Sequence, residues 1–299
     1  MITQRDILKK VRQVEIRTRR AVTDTLVGSY HSIFRGQGID FEETREYSPG
    51  DDVRSIDWNV TARMDRPFIK IFREERELTL ILAVDLSASQ GFGSVDLSKR
   101  ELAAELAAIL AFSAVRNNDK AGLLLFTDRV ERYIPPRKGL QHVLRVVREI
   151  LFYKPVGRGT DRRAALDYVN HVLTRRAVVF FISDFACEAP LSPEDPEARL
   201  LAVTAARHDL VVADLSDPRD TELPDVGVVL LEDPETGQRS EVNTAERRFR
   251  NAYAKIGTAE RKAWARLLRQ SGAGYMAIAS DCDVVSSLRA FMAGRARAR

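Results

Sequence analysis

The run Leu78-Thr79-Leu80-Ile81-Leu82-Ala83-Val84, halted at Asp85-Leu86-Ser87-Ala88-Ser89, constrains the fold of this chain more than any other stretch. An apolar run with little polar alternation reads as a strand covered on both faces, the habit of parallel sheets flanked by helices. Asp-x-Ser-x-Ser then sets one carboxylate and two hydroxyls just past the strand's carboxyl end, the edge where open α/β sheets bind ligands. One anionic and two neutral oxygens suit a hard cation such as Mg²⁺, which takes few carboxylates and keeps several waters. The same residue types also suit a helix N-cap. By itself the motif leaves both readings open.

Two further segments bear on the choice. Gly157-Arg158-Gly159-Thr160-Asp161 is a glycine-flexed loop that offers a threonine hydroxyl at the start of a predicted helix. Asp161 fits the N-cap of that helix, where its charge suits the dipole. Val178-Val179-Phe180-Phe181-Ile182-Ser183-Asp184 is a second buried strand that again ends in a carboxylate. Three separate segments thus offer oxygens at what would be one edge of one sheet.

This constellation resembles the metal-ion-dependent adhesion site of von Willebrand factor A domains. The resemblance implies that Asp85, Ser87, Ser89, Thr160 and Asp184 hold Mg²⁺ or Mn²⁺ directly or through water, all five matching in type and order. Asp85 and Asp184 would supply charge; the hydroxyls would be neutral ligands. A cation held by so few protein charges keeps an exchangeable water, which a partner's carboxylate can replace.

From Leu78 onward strands and helices alternate. Strands are predicted over 78–85, 121–127, 130–134, 177–183, 210–215 and 274–279; helices over 96–116, 139–151, 161–173, 195–207, 244–270 and 284–293. Alternation of this kind builds βαβ units. The expected fold is α/β and Rossmann-like: a mostly parallel central sheet, helices on both faces and one antiparallel edge strand, since 121–127 and 130–134 are too close for anything but a hairpin. Residues 216–243 read as an insertion carrying a small hairpin. Ahead of the sheet, an N-terminal helix over 5–26 and strands near 41–47 and 69–74 form a small segment. The expected division is 1–77, then a von Willebrand factor A-like domain over 78–294, then a basic, frayed tail over 295–299.

Tyr47-Ser48-Pro49-Gly50-Asp51-Asp52-Val53-Arg54-Ser55-Ile56-Asp57-Trp58, followed by Ala62-Arg63, is dense in charge yet carries a tryptophan. A buried Trp58, with Arg54 or Arg63 paired to Asp51, Asp52 or Asp57, would make it a clasp between the N-terminal segment and the sheet. A partner-recognition loop is the other reading. Together with the downstream Asp-x-Ser-x-Ser strand, this segment resembles the bacterial domain-of-unknown-function family 58 over roughly residues 28–215. That resemblance implies a scaffold or adaptor working beside an AAA+ ATPase of the MoxR type, or on its client protein, in maturation or assembly. Many relatives carry transmembrane helices ahead of this segment; none is visible here.

Composition closes off several alternatives. With 44% hydrophobic and 30% charged residues, the 299-residue chain is ordinary for a soluble globular protein. No apolar stretch reaches membrane-span length and no signal-peptide core follows the N-terminal basic residues, so a cytoplasmic setting is expected. Cys187 and Cys282 make one disulfide at most. Net charge is only +4, although Arg247, Arg248, Arg250, Lys255, Arg261, Lys262, Arg266 and Arg269 crowd one predicted helix. Without zinc-finger spacing or interleaved aromatics, those cations point to a solvated face or an acidic partner, not to nucleic acid. The four histidines (His31, His142, His171, His208) are scattered, and no Gly-x4-Gly-Lys-Ser/Thr phosphate loop occurs. A non-catalytic, metal-dependent interaction module is therefore expected, a Mg²⁺-dependent phosphoester hydrolase being the alternative.

Overall fold

The computed structural model describes residues 11–16, 18, 38–64, 66–75, 77–95, 97–185, 192 and 194–298. Of the expected N-terminal helix, 11–16 and 18 are helical; His31 and Cys187 lie outside the described residues. Two compact units emerge, one of Arg35–Leu78 and one of Met1–Phe34 with Thr79–Arg299.

In the smaller unit, β1 (Gly38–Glu46) and β2 (Phe68–Glu75) form an antiparallel pair with a bulge between Phe41 and Glu43. The Ser48-Pro49-Gly50-Asp51 turn leaves β1, with Gly50 at φ +112°, a conformation that disfavours a side chain. A 3-10 turn (Val53–Ser55) and helix α1 (Trp58–Met64) complete the connection.

The larger unit is built on a six-stranded sheet. Its strands are β3 (Thr79–Asp85), β4 (Lys120–Phe126), β5 (Val130–Arg137), β6 (Val178–Ser183), β7 (Asp209–Ser216) and β10 (Gly274–Ala279), in the order β10-β7-β6-β3-β4-β5. All pairs are parallel except β4–β5, the expected hairpin edge. The helices are α2 (Lys99–Arg116), α3 (Leu140–Phe152), α4 (Arg162–Val172), α5 (Pro196–Arg207), α6 (Arg247–Gln270) and α7 (Val284–Ala298). Between β7 and α6 the insertion forms a separate antiparallel ribbon of β8 (Val228–Glu232) and β9 (Arg239–Asn243).

Both sheet faces are covered. Ile81, Ala83, Val179 and Phe181 pack with Leu166 and Val169 of α4, Leu201 of α5 and Trp264 and Leu268 of α6. Leu80, Leu82 and Val84 alternate to the opposite face and are equally buried. Each fully buried aliphatic or aromatic side chain contributes about 1.5–3 kcal/mol, so the double-sided strands carry much of the stability. Helix α2 is apolar nearly all round, from Leu102 to Ala111, and begins at a capping box formed by Ser98 and Glu101. The last helix departs from expectation. It continues to Ala298, where fraying was expected, and Arg295 forms an ion pair with Asp209.

Candidate metal and partner-binding site

Because β3, β6, β7 and β10 are parallel neighbours, their carboxyl ends share one edge of the sheet. Asp85 ends β3 and Asp184 follows the last residue of β6, so two carboxylates arrive on adjacent strands. Asp85 is fully buried. Its Oδ1 accepts from the Ser87 amide at 2.8 Å and its Oδ2 from the Ser183 hydroxyl at 2.7 Å. Both donors are neutral. Burial, then the nearby charge of Asp184, pushes the Asp85 carboxyl up to about 7.

The hydroxyls converge beside it. Ser87 and Ser89 place their Oγ atoms 3.0 Å apart at the start of a short 3-10 turn. Asp85, Ser87 and Ser89 belong to a strand end and turn; the carboxylate does not cap a helix here. The Thr160 loop is tied to this turn, with the Ala88 amide donating to Arg158 O at 2.9 Å. Gly157 leaves room at that junction: a Cβ there would meet Asp128 Oδ1 at 2.1 Å and Thr127 Oγ1 at 2.2 Å, so both side chains would have to shift. Glu131 holds the loop from below, accepting from the Gly157 amide at 2.7 Å and the Val156 amide at 3.0 Å. Asp161 caps α4 through the Arg163 and Ala164 amides, as its position implied. Thr160 itself donates its hydroxyl to Glu235 Oε1 at 2.7 Å.

Three residues at this edge went unseen in the sequence. Lys99, the first residue of α2, is buried, and its Nζ lies 3.1 Å from Asp184 and 3.0 Å from Asp220. Burial opposes its charge, but the two carboxylates outweigh that and hold its pKa above the ordinary lysine value. Asp220 sits in the 3-10 turn after β7 and also meets Arg261 at 2.9 Å. Glu235 lies at the tip of the β8–β9 ribbon. Ser183, by contrast, adjoins Asp184 in the strand run that the sequence marks. Nothing in the neighbourhood of Lys99 or Glu235 separates them from other charged residues in a helix start or turn.

Ser89, Lys99, Asp184, Asp220 and Glu235 line a cavity of about 760 Å³, whose apolar wall includes Phe92, Val229, Leu231 and Tyr253. Among the described residues no three carboxylate, imidazole or thiol side chains stand close enough together to hold a metal ion by themselves. The donor set is two carboxylates and hydroxyls, the kind a hard cation with retained waters accepts. Lys99 serves Asp184 and Asp220, whereas the bonds to Asp85 come from neutral groups. The residues present therefore fit a divalent cation.

The Pro-Gly-Asp-Asp loop differs from what its composition implied. Asp51 is paired with Arg45, whose Nη2 lies 2.7 Å from Oδ1, and it accepts from the Ser48 amide at 2.8 Å. Asp52 caps the 3-10 turn through the Arg54 amide. Asp57 accepts from the Asn59 and Val60 amides and meets Lys70 at 3.3 Å. Arg54 and Arg63 are exposed, and among the described residues no ion pair joins either to these aspartates. Trp58, expected to be buried, is 69% exposed. The reason is local: the aspartates take backbone amides, Arg45 and Lys70 as partners, and Trp58 opens α1 on its outer side, while Asp57 and Ile69 are the buried positions.

A family model described as Protein of unknown function DUF58 matches residues 43–263. An uncharacterized protein of Mycobacterium tuberculosis is 34% identical over 289 residues, spanning 96% of this chain and 89% of its own. Among solved structures, the conserved hypothetical protein BatB from Bacteroides thetaiotaomicron is similar with a TM-score of 0.48 and 17% identity, over 74% of this chain and 99% of its own. A von Willebrand factor type A protein from Catenulispora acidiphila gives a TM-score of 0.39 and 10% identity, over 74% of this chain and 42% of its own. The family match covers most of the chain, including the Asp85, Thr160 and Asp184 segments, and the chain belongs to the DUF58 family.

Proposed function

We propose that this protein is a non-catalytic, metal-dependent interaction module, an adaptor that engages an acidic side chain of a partner at the carboxyl edge of its sheet. The observation that carries the reading is Asp85: a fully buried carboxylate beside Asp184, held by neutral donors and raised to about 7. A cation at this edge would relieve that cost. Asp85 and Asp184 are the charge-bearing ligands; Ser87, Ser89 and Thr160 are the neutral ones. Ser183 and the Ser87 amide orient Asp85, and Lys99 forms ion pairs with Asp184 and Asp220. When bound, Mg²⁺ or Mn²⁺ supplies a coordination position open to a partner's carboxylate.

The family resemblance favours a MoxR-type AAA+ ATPase or its client as that partner, in the cytoplasm. The exposed Trp58, with Val53 and Met64 also exposed, favours recognition over a clasp for the loop containing Asp51, Asp52, Arg54, Asp57 and Arg63. Co-purification of tagged wild type and Asp85→Asn, with and without chelator, tests the reading. We expect capture of an acidic partner by wild type with metal alone. Equal capture without metal, or turnover of a phosphoester by the pure protein, would overturn it.

A further inference from the structure

The Thr160 hydroxyl, one of the proposed neutral ligands, is engaged by a carboxylate from the chain's own insertion. Glu235 Oε1 accepts from it at 2.7 Å. Gly159 presents no side chain to this contact, and a Cβ built there would stand 3.8 Å from Glu235 Oε2, so both oxygens face the Gly159–Thr160 loop. Glu235 shares its cavity with Ser89 and Asp184.

The turn that carries Glu235 is built to present it. Asp233 Oδ1 accepts from the Glu235 amide at 2.9 Å and its Oδ2 from the Thr236 hydroxyl at 2.6 Å. The Gly237 amide closes the turn onto Asp233 O at 2.7 Å, with φ at +72°. Among the described residues, the two strands behind the turn pair only with each other. Val228 and Leu230 on β8 are 60% and 61% exposed. A two-stranded ribbon with so little burial is marginal by itself, and a tip contact weighs in its placement.

We propose that Glu235 is an in-chain acidic ligand of the metal site, holding the place that a partner's carboxylate takes, so that partner binding requires displacement of the β8–β9 ribbon. The proposal rests on the metal reading above and adds its regulation. A partner meets a site whose open fraction is limited by Glu235, and its apparent affinity falls by that fraction. The ribbon's apolar strand then moves with the same event that frees the ion.

Mn²⁺ alone is the probe, with acetate as the competing carboxylate. Wild type, Glu235→Gln and Glu235→Ala are compared for Mn²⁺ affinity and for water-proton relaxation per bound ion. We expect both variants to bind Mn²⁺ about tenfold more weakly, with higher relaxation because more exchangeable water remains. Acetate should lower that relaxation in the variants and leave wild type unchanged. Hydrogen exchange should show residues 228–243 protected by Mn²⁺ in wild type only. Equal affinity, relaxation and exchange in all three proteins would overturn the role of Glu235 and leave the metal reading standing. Failure of wild type and variants alike to bind Mn²⁺ would overturn the metal reading and this inference with it.

Discussion

Asp85 and Asp51 are the same side chain placed under opposite conditions. Asp51 lies in the Arg35–Leu78 unit, half-buried at its surface. Bonding to Arg45, then to the Ser48 amide, holds its carboxyl below the usual range. Asp85 lies at the end of a strand covered on both faces, where neutral donors orient it without cancelling its charge, and its carboxyl rises to about 7. The lesson is that hydrogen-bond count does not distinguish a finished carboxylate from an unfinished one. Partner charge and solvent access do. A half-buried aspartate with its own arginine is complete; a fully buried one with only amide and hydroxyl donors calls for a cation from outside.

Four measurements bear on that contrast. The largest effect belongs to Lys99, the internal cation of the buried region. Lys99→Met leaves Asp184 and Asp220 without their ammonium, and we expect a loss of about 3–5 kcal/mol in denaturant unfolding. Mn²⁺ should restore part of it by taking over the charge of Asp184. A wild-type unfolding curve for this variant would break the distinction between completed and uncompleted carboxylates. Next, Asp85→Asn preserves shape and hydrogen bonding while removing charge. Mn²⁺ affinity, by calorimetry, should fall at least about 100-fold with the melting temperature unchanged or raised. Unchanged affinity would remove Asp85 from the site.

Asp214 is an intermediate case. It is buried, and its carboxyl is raised to about 6 by burial, although Arg261 at 3.8 Å and the Tyr275 hydroxyl at 2.8 Å pull the other way. The folded state takes up this proton more readily than the unfolded chain, whose carboxyl titrates near the ordinary value. Wild type therefore gains stability from this group as pH falls through 6 toward 4, and loses it as pH rises. Relative to wild type, Asp214→Asn should lose up to about 2–3 kcal/mol of advantage between pH 7.5 and 4.5. A pH-independent difference would assign Asp214 an unperturbed carboxyl and blur the contrast. The smallest effects belong to the exposed region. Trp58→Ala and Arg45→Ala should both melt close to wild type, the latter with a small salt-dependent shift. Strong destabilisation by Trp58→Ala would revive the clasp reading; normal melting with lost partner capture would sharpen the recognition reading.

Much of the fold was legible residue by residue. Buried parallel strands announce themselves by uninterrupted apolar runs, as in Leu80–Val84 and Val178–Ile182, because both faces must be satisfied by helices. One helix start was equally local: Asp161 before α4 supplies an acceptor to amides two and three residues on. The hairpin edge followed from the short spacing between β4 and β5. That Asp85, Ser87, Ser89 and Asp184 gather at one edge also followed, since parallel neighbours bring their carboxyl ends together.

What tertiary structure alone decided is partnership across long separations. Lys99 meets Asp184 and Asp220, 85 and 121 residues away, and Thr160 meets Glu235, 75 residues away. Charge and hydroxyl content are visible in a sequence, but a lysine at a helix start and a glutamate in a turn look like any solvated pair until packing buries the first and the fold sets the second against Thr160. Trp58 fails in the opposite direction. A large aromatic amid charges reads as an anchor, yet its burial depended on whether the neighbouring aspartates needed arginines. They found backbone amides, Arg45 and Lys70 within their own segment, and the ring was left facing out.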